Sequence, residues 1–222
     1  MPARSFQRAR EPAQKAQRTR ALVAAATRLL ARHGVAAVTL SEIARTAGVV
    51  KSNVYRYFES REHILLEILL SEQTVWLDEL ERALAPIAGR ADVDGVARAI
   101  AATIARRPVA CELMSVMANV LEHNLSADAV LDVKLRTLAL SERAGAALRA
   151  ALPALTDDDV AALLRYLHAL VAGLWPMAHP APVMAEVLTR TEMCGLVCAF
   201  EPDLRGAVGA LLRGLCAARA AR

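Results

Sequence analysis

The chain lacks the short motifs around which most catalytic sites are built. It has no glycine-rich loop to cradle a phosphate, no helix with the His-Glu spacing of a metal hydrolase, and no nucleophile elbow. Its five histidines are spread out and have no carboxylate partner nearby in sequence. The expectation is a protein that is not an enzyme and holds neither cofactor nor metal. Cysteine is scarce as well. Cys111, Cys194, Cys198 and Cys216 are too few and too scattered for a disulfide framework. Cys194 and Cys198 stand at i, i+4 and would share a face in a helix, but no histidine lies close by to complete a metal or redox site. No apolar core follows the basic N-terminus, as a secretory signal requires. No uninterrupted apolar run reaches the roughly 18 residues of a membrane span. The longest, Ala169 to Ala178, contains Pro176. A cytoplasmic location is expected.

No convincing two-residue alternation is present either, which argues against strands. Ala, Leu, Arg and Glu dominate instead, and prolines punctuate the chain at expected helix starts and stops. The pattern predicts helices near Arg61–Leu84, Asp92–Arg106, Pro108–His123, Ala127–Ala151, Asp157–Trp175, Val183–Arg190 and Pro202–Ala220. Thr156 followed by Asp157, Asp158 and Asp159 reads as an N-cap with acids that suit the helix dipole. The fold class is therefore all-α. The expected organisation is a basic disordered tail over 1–16, a helix-turn-helix unit over 17–75 and a larger helical body over 76–222.

Charge divides along the same line. Residues 1–60 hold eleven Lys or Arg and three Asp or Glu, a net of +8; the remainder nets −4 within the overall +4. A basic end on an acidic body is the footprint of a nucleic-acid binder with a separate second part. The excess begins in the tail, at Arg4, Arg8, Arg10, Lys15 and Arg18. That tail either follows phosphates and reaches into a groove, or serves only solubility.

The segment Thr39 to Phe58, TLSEIARTAGVVKSNVYRYF, concentrates the functional signal. Thr39 can cap a helix and Glu42 can close a capping box. Leu40, Ile43, Ala44 and Ala47 form an apolar stripe, and Gly48 stands where a helix ends in a left-handed turn. A second helix begins near Lys51. At 100° per residue, Val54, Tyr57 and Phe58 cluster inward, while Ser52, Tyr55 and Arg56 point out with Lys51 and Asn53 on the flanks. Such a pair presents one helix to the DNA major groove, arginine reading base edges and lysine and tyrosine holding phosphates.

These residues resemble the TetR family of transcriptional regulators. The match comprises Thr39, Ile43-Ala44, Ala47-Gly48-Val49, Lys51, Tyr55-Arg56-Tyr57-Phe58 and Ser60-Arg61-Glu62. Ala24-Ala25-Ala26 through Leu29-Leu30 and Gly34 look like the family's first helix and its stop. The resemblance is specific over about Arg18 to Leu69 and architectural beyond. Two departures stand out: Val50 replaces the family's usual Ser or Thr before the lysine, and Ser52-Asn53 replaces its frequent Gly-Thr.

The resemblance implies a homodimer that binds a double-stranded DNA operator and is released by a small apolar or amphipathic effector. The DNA contacts expected are Thr39, Ser41, Lys51, Ser52, Asn53, Tyr55, Arg56, Tyr57 and Arg61. The helix from Arg61 would act as a lever, with Ile64, Leu65, Ile68 and Leu69 in the DNA-binding unit and Val75, Trp76, Leu80 and Leu84 in the body. Candidate pocket residues are Trp76, Met114, Met117, Leu121, His123, His168 and Trp175; each is equally a residue type that fills cores. The dimer would form through Leu163, Leu167, Leu170, Leu174, Gly206, Gly209 and Leu212. The contrasting expectation is a helical interaction module whose basic end binds DNA or another acidic partner without sequence choice.

Overall fold

The computed structural model describes residues 4–120 and 125–220; the side chains of 4–13, 117–120 and 218–220 fall outside the description. Among the described residues ten α-helices follow one another: α1 (Arg4–His33), α2 (Leu40–Ala47), α3 (Lys51–Val54), α4 (Arg61–Leu84), α5 (Val93–Ala105), α6 (Pro108–Val120), α7 (Ala127–Ala151), α8 (Asp157–Ala178), α9 (Pro182–Leu188) and α10 (Phe200–Ala220). No strand occurs among the described residues. α1 opens at Arg4, so the described part of the segment expected to lack structure, residues 4–16, is helical instead.

Local chemistry accounts for most boundaries. Thr39 caps α2 by accepting the Glu42 amide at 3.2 Å, but the Glu42 carboxylate turns to Arg45 at 2.6 Å rather than back to the cap. The box anticipated there is thus only half built. Gly48 closes α2 at φ +68, a conformation that costs an L side chain strain even though the space around it is open. Ser60, Asp92 and Ser126 each accept an amide at the start of α4, α5 and α7. Thr156 and Asp159 complete a reciprocal capping box on α8. Pro176 departs from expectation by lying inside α8 rather than at its end. It falls in the last turn, where helix geometry ends within a few residues anyway.

Two apolar cores result. One gathers Leu22, Ala26, Leu30, Val38, Ile43, Ala44, Val54 and Phe58 around Ile64, Leu65, Ile68 and Leu69 of α4, and extends to Ala110 and Leu113 of α6 and Val133 of α7. The other joins Leu80 and Leu84 to α5, α7, α8 and α10. Val75, expected in the body, is instead exposed between the two. α10 packs on α5 and α8, α8 also on α6, and α4 on α7. α8 is long and apolar enough to cross a membrane, yet Val160, Leu163, Leu167 and Val171 bury in the core of this chain.

That burial corrects part of the interface expectation. Leu163 and Leu212 are 0% exposed and Leu167 5% within the single chain. Gly209 is also buried, and a Cβ there would sit 3.7 Å from Ala97 of α5. These four positions pack helices of one chain together; Leu170, Leu174 and Gly206 remain accessible. Leu163→Ala is expected to cost about 2–5 kcal/mol of stability. Denaturant melts over a range of protein concentrations check it, because a core cavity costs the same at each concentration whereas a lost subunit contact does not.

Candidate functional site

The basic end of the molecule is organised by α2 and α3. Recognition chemistry sits on a very short helix: α3 has one turn, and Tyr55, Arg56 and Tyr57 lie in the turn after it. Val54 and Phe58 anchor this segment in the core. Lys51, Ser52, Tyr55 and Arg56 are exposed and Asn53 half-buried, while Thr39 and Ser41 are exposed at the start of α2. All seven are at least partly accessible to solvent. Two expected contacts are placed otherwise. Tyr57 is half-buried against the core. Arg61 turns inward and donates to the Val35 carbonyl at 2.6 Å, so its guanidinium holds the loop after α1. Val50 caps α3 in an extended conformation with no side-chain bond, as its hydrocarbon side chain dictates.

The body contains a cavity of about 700 Å³, within the range of small-molecule sites. α4 supplies Leu66, Leu69, Leu70, Glu72, Gln73, Trp76 and Leu77; α6, α7 and α8 supply most of the rest. Of the residues proposed from sequence for a pocket, Trp76, Met114 and His168 line this cavity. Trp175 does not. It stacks on His179 at 3.7 Å and meets Phe200 edge-on at 4.9 Å, against the second core. Leu121 and His123, and the side chain of Met117, lie outside the described residues.

The floor is buried hydrocarbon: Leu66, Leu69, Leu70, Leu77, Ile104 and Val133. Lining hydroxyls satisfy themselves locally, Thr137 on the Val133 carbonyl at 2.8 Å and Ser141 on Thr137 at 2.9 Å. Trp76 donates its indole N–H to Thr103 at 3.1 Å. Glu72 is met by Arg107 at 3.4 Å, and Arg107 also binds Glu79. Burial opposes ionisation of Glu79, but Arg107 and Arg106 together hold its carboxyl below the usual range. The mouth runs between α7 and α8, where Lys134, Leu138, Ala161, Arg165 and His168 are all exposed. His168 lines the cavity with one side and meets solvent with the other. Burial and the Lys134 charge lower its pKa.

Sequence reasoning missed the bonds between this cavity and the basic end. Glu59, just past the recognition segment, accepts both the amide (3.0 Å) and the hydroxyl (2.8 Å) of Ser126, the cap of α7. Those two bonds lower the Glu59 pKa. Glu112 of α6 accepts the Val35 amide at 2.8 Å. The partners stand 67 and 77 residues apart, and no local pattern joins them. The cysteines carry no reactive signature. Burial pushes Cys111 up to about 12 and also raises Cys198 and Cys216, opposite to what a sensing thiolate needs. Cys194 lies within a 3-10 segment, Thr191–Leu196, and Cys198 follows it, so the two do not share an α-helical face.

A helix pair exposing lysine, arginine and tyrosine, with a second unit enclosing an apolar cavity, defines a DNA-binding regulator of the helix-turn-helix class. Comparison with known proteins specifies it further. The family description "Bacterial regulatory proteins, tetR family" matches residues 22–68, and "Tetracyclin repressor-like, C-terminal domain" matches residues 70–219. The chain belongs to the TetR family of transcriptional regulators. It is 48% identical over 54 residues to the HTH-type transcriptional regulator BetI of Rhizobium meliloti, 24% of this chain and 27% of that one. It is 39% identical over 75 residues to AcrR of Shigella flexneri, 33% of this chain and 35% of that one. The chain thus matches about a third or less of the length of these curated relatives. The fold is shared more widely. A TetR transcriptional regulator from Rhodococcus sp. RHA1 superposes with a TM-score of 0.54 at 19% identity, covering 92% of this chain and 97% of that one. The fatty acid degradation regulator FadR from Bacillus halodurans gives 0.54 at 15%, covering 88% and 94%.

The unsatisfied start of α3 yields a direct test. Val50→Thr places an acceptor at the cap and is expected to add about 0.5–1 kcal/mol to stability. Chemical denaturation compares the two proteins. No gain would mean that the exposed first turn is already satisfied by water.

Proposed function

We propose that this chain is a homodimeric, cytoplasmic repressor that leaves its operator when a small apolar or amphipathic molecule enters the cavity. One adjacency carries the reading. Leu125 and Cys111 line the cavity, and their chain neighbours Ser126 and Glu112 bind Glu59 and Val35 of the basic end. A ligand that reshapes the α6 and α7 walls therefore acts on the recognition segment through a single peptide unit on each side. It switches the protein only in so far as it prefers one of the two arrangements. α4 lines the cavity too and shares both cores, so its tilt follows the same displacement.

Dimerisation supplies the geometry. Tyr166, Ala169, Leu170, Ala207, Leu211 and Gly214 form an open apolar face on α8 and α10. Pairing that face in two copies makes a four-helix bundle and sets two α3 segments toward successive major grooves, about 34–36 Å apart. The expected contacts Leu170, Leu174 and Gly206 lie on or near it.

Competition binding tests DNA choice. A duplex from the DNA flanking the chain's own gene should bind more tightly than a random duplex of equal length. Arg56→Ala should lose about 1–3 kcal/mol on the specific duplex and much less on the random one. Equal losses on both would leave Arg56 a phosphate contact and favour binding without sequence choice. The coupling has its own check. A thermal-shift screen identifies a compound that stabilises the protein. The double variant Glu59→Ala, Glu112→Ala should keep operator affinity but hold on to DNA when that compound is added. Normal release by the variant would place the coupling elsewhere, in α4 alone.

A further inference from the structure

Once the interior of the cavity is taken group by group, its lining specifies a charge type for the occupant. This step rests on the reading of the cavity as the effector site. The floor is hydrocarbon, and the hydroxyls of Thr137 and Ser141 are bound to their own helix. The lining carboxylate, Glu72, is neutralised by Arg107. The Arg107 Nε is buried without a partner, but Glu72 and Glu79 flank that guanidinium and make its surroundings unfavourable to an added anion. The interior therefore rewards an apolar body.

The mouth is different. Lys134 on α7 and Arg165 on α8 line the opening, and neither forms an ion pair with an acid among the described residues. Several other arginines of the body are paired: Arg106, Arg107, Arg136 and Arg143 hold acids of α4, Arg149 holds Asp157 and Arg213 holds Asp94; what sets Lys134 and Arg165 apart is that they also line the cavity. Arg165 and His168 lie at i, i+3 on one face of α8. Lys134 and Arg165 are exposed on α7 and α8 and line the same opening. The geometry points to an amphipathic anion as ligand: an apolar chain or ring system in the cavity, with a carboxylate or similar head between Lys134 and Arg165. A cationic head would meet only like charge there, and a neutral head would leave both cations unused.

Three probes with one alkyl chain separate the alternatives: dodecanoate, dodecan-1-ol and dodecyltrimethylammonium. Each is titrated calorimetrically against the full chain below its micelle concentration, at low and high salt. Dodecanoate should bind about three- to tenfold tighter than the alcohol, the scale of two exposed charge contacts. The advantage should shrink in high salt. The quaternary amine should bind weakest. The double variant Lys134→Gln, Arg165→Gln changes only exposed side chains and should remove the dodecanoate advantage without altering alcohol affinity. Equal binding of acid and alcohol, or tighter binding of the amine, overturns the anion assignment and leaves the cavity reading intact. A dodecanoate advantage that survives in the double variant also overturns it, because the head would then sit elsewhere. Met114→Trp takes up part of the cavity beside its apolar floor and should weaken binding of all three probes. If it weakens none of them, or no probe binds the native chain, the reading of the cavity as the effector site is what fails.

Discussion

The structure depends on one stiff element serving two cores. α4 has 24 residues, about 36 Å of helix, and its buried face changes allegiance partway along. Ile64, Leu65, Ile68 and Leu69 complete the core beneath the recognition segment. Leu80 and Leu84 belong to the body. The stretch between them, from Leu70 to Trp76, lines the cavity. Because a helix moves largely as a unit, nothing can shift the middle of α4 without being felt at both ends. The cavity thus lies at the handover between the cores.

Electrostatics orders the helices around that axis. Acids of α4 are met by arginines from two directions: Glu67 by Arg136 and Asp78 and Glu81 by Arg143 of α7, and Glu72 and Glu79 by Arg107 just before α6. Most of these pairs are partly exposed, so each adds little to stability. Their larger effect is to fix which helix lies against which. Of the three Lys and Arg residues that line the cavity, Arg107 is the one paired with acids, and Lys134 and Arg165 have no ion pair among the described residues. The two longer-range bonds, Glu59 to Ser126 and Glu112 to Val35, have a different character. They join the cavity walls to the chain just before and just after the helix-turn-helix pair.

Much of the basic end was legible from residues because its determinants are local. A cap three residues from its partner amide, a glycine in a left-handed turn and an apolar stripe of period 3.6 all act within one or two turns of chain. α4 and α7 fall on their expected bounds for the same reason. The errors arose where an apolar or charged side chain had more than one possible destination. Leu163, Leu167, Leu170 and Leu174 recur on nearly one face of α8, but periodicity says only that such a face is buried and not against which chain, and Leu163 and Leu167 bury within this one. Arg61 has the charge of a phosphate contact and the position of a loop clamp, and the Val35 carbonyl 26 residues away decides between them. Trp175 is a plausible wall until the fold seats it between His179 and Phe200.

The sequence by itself determined the all-α class, the order of the helices, the basic end against an acidic body, and the capped helix and glycine turn of the helix-turn-helix pair. Each of these follows from propensity, spacing and charge counted along the chain. Tertiary structure alone decided where the cavity lies, which cations were left unpaired at its mouth, and how its walls are bonded to the recognition segment. Those features arise from contacts between residues dozens of positions apart. Helix packing, not local pattern, selects them.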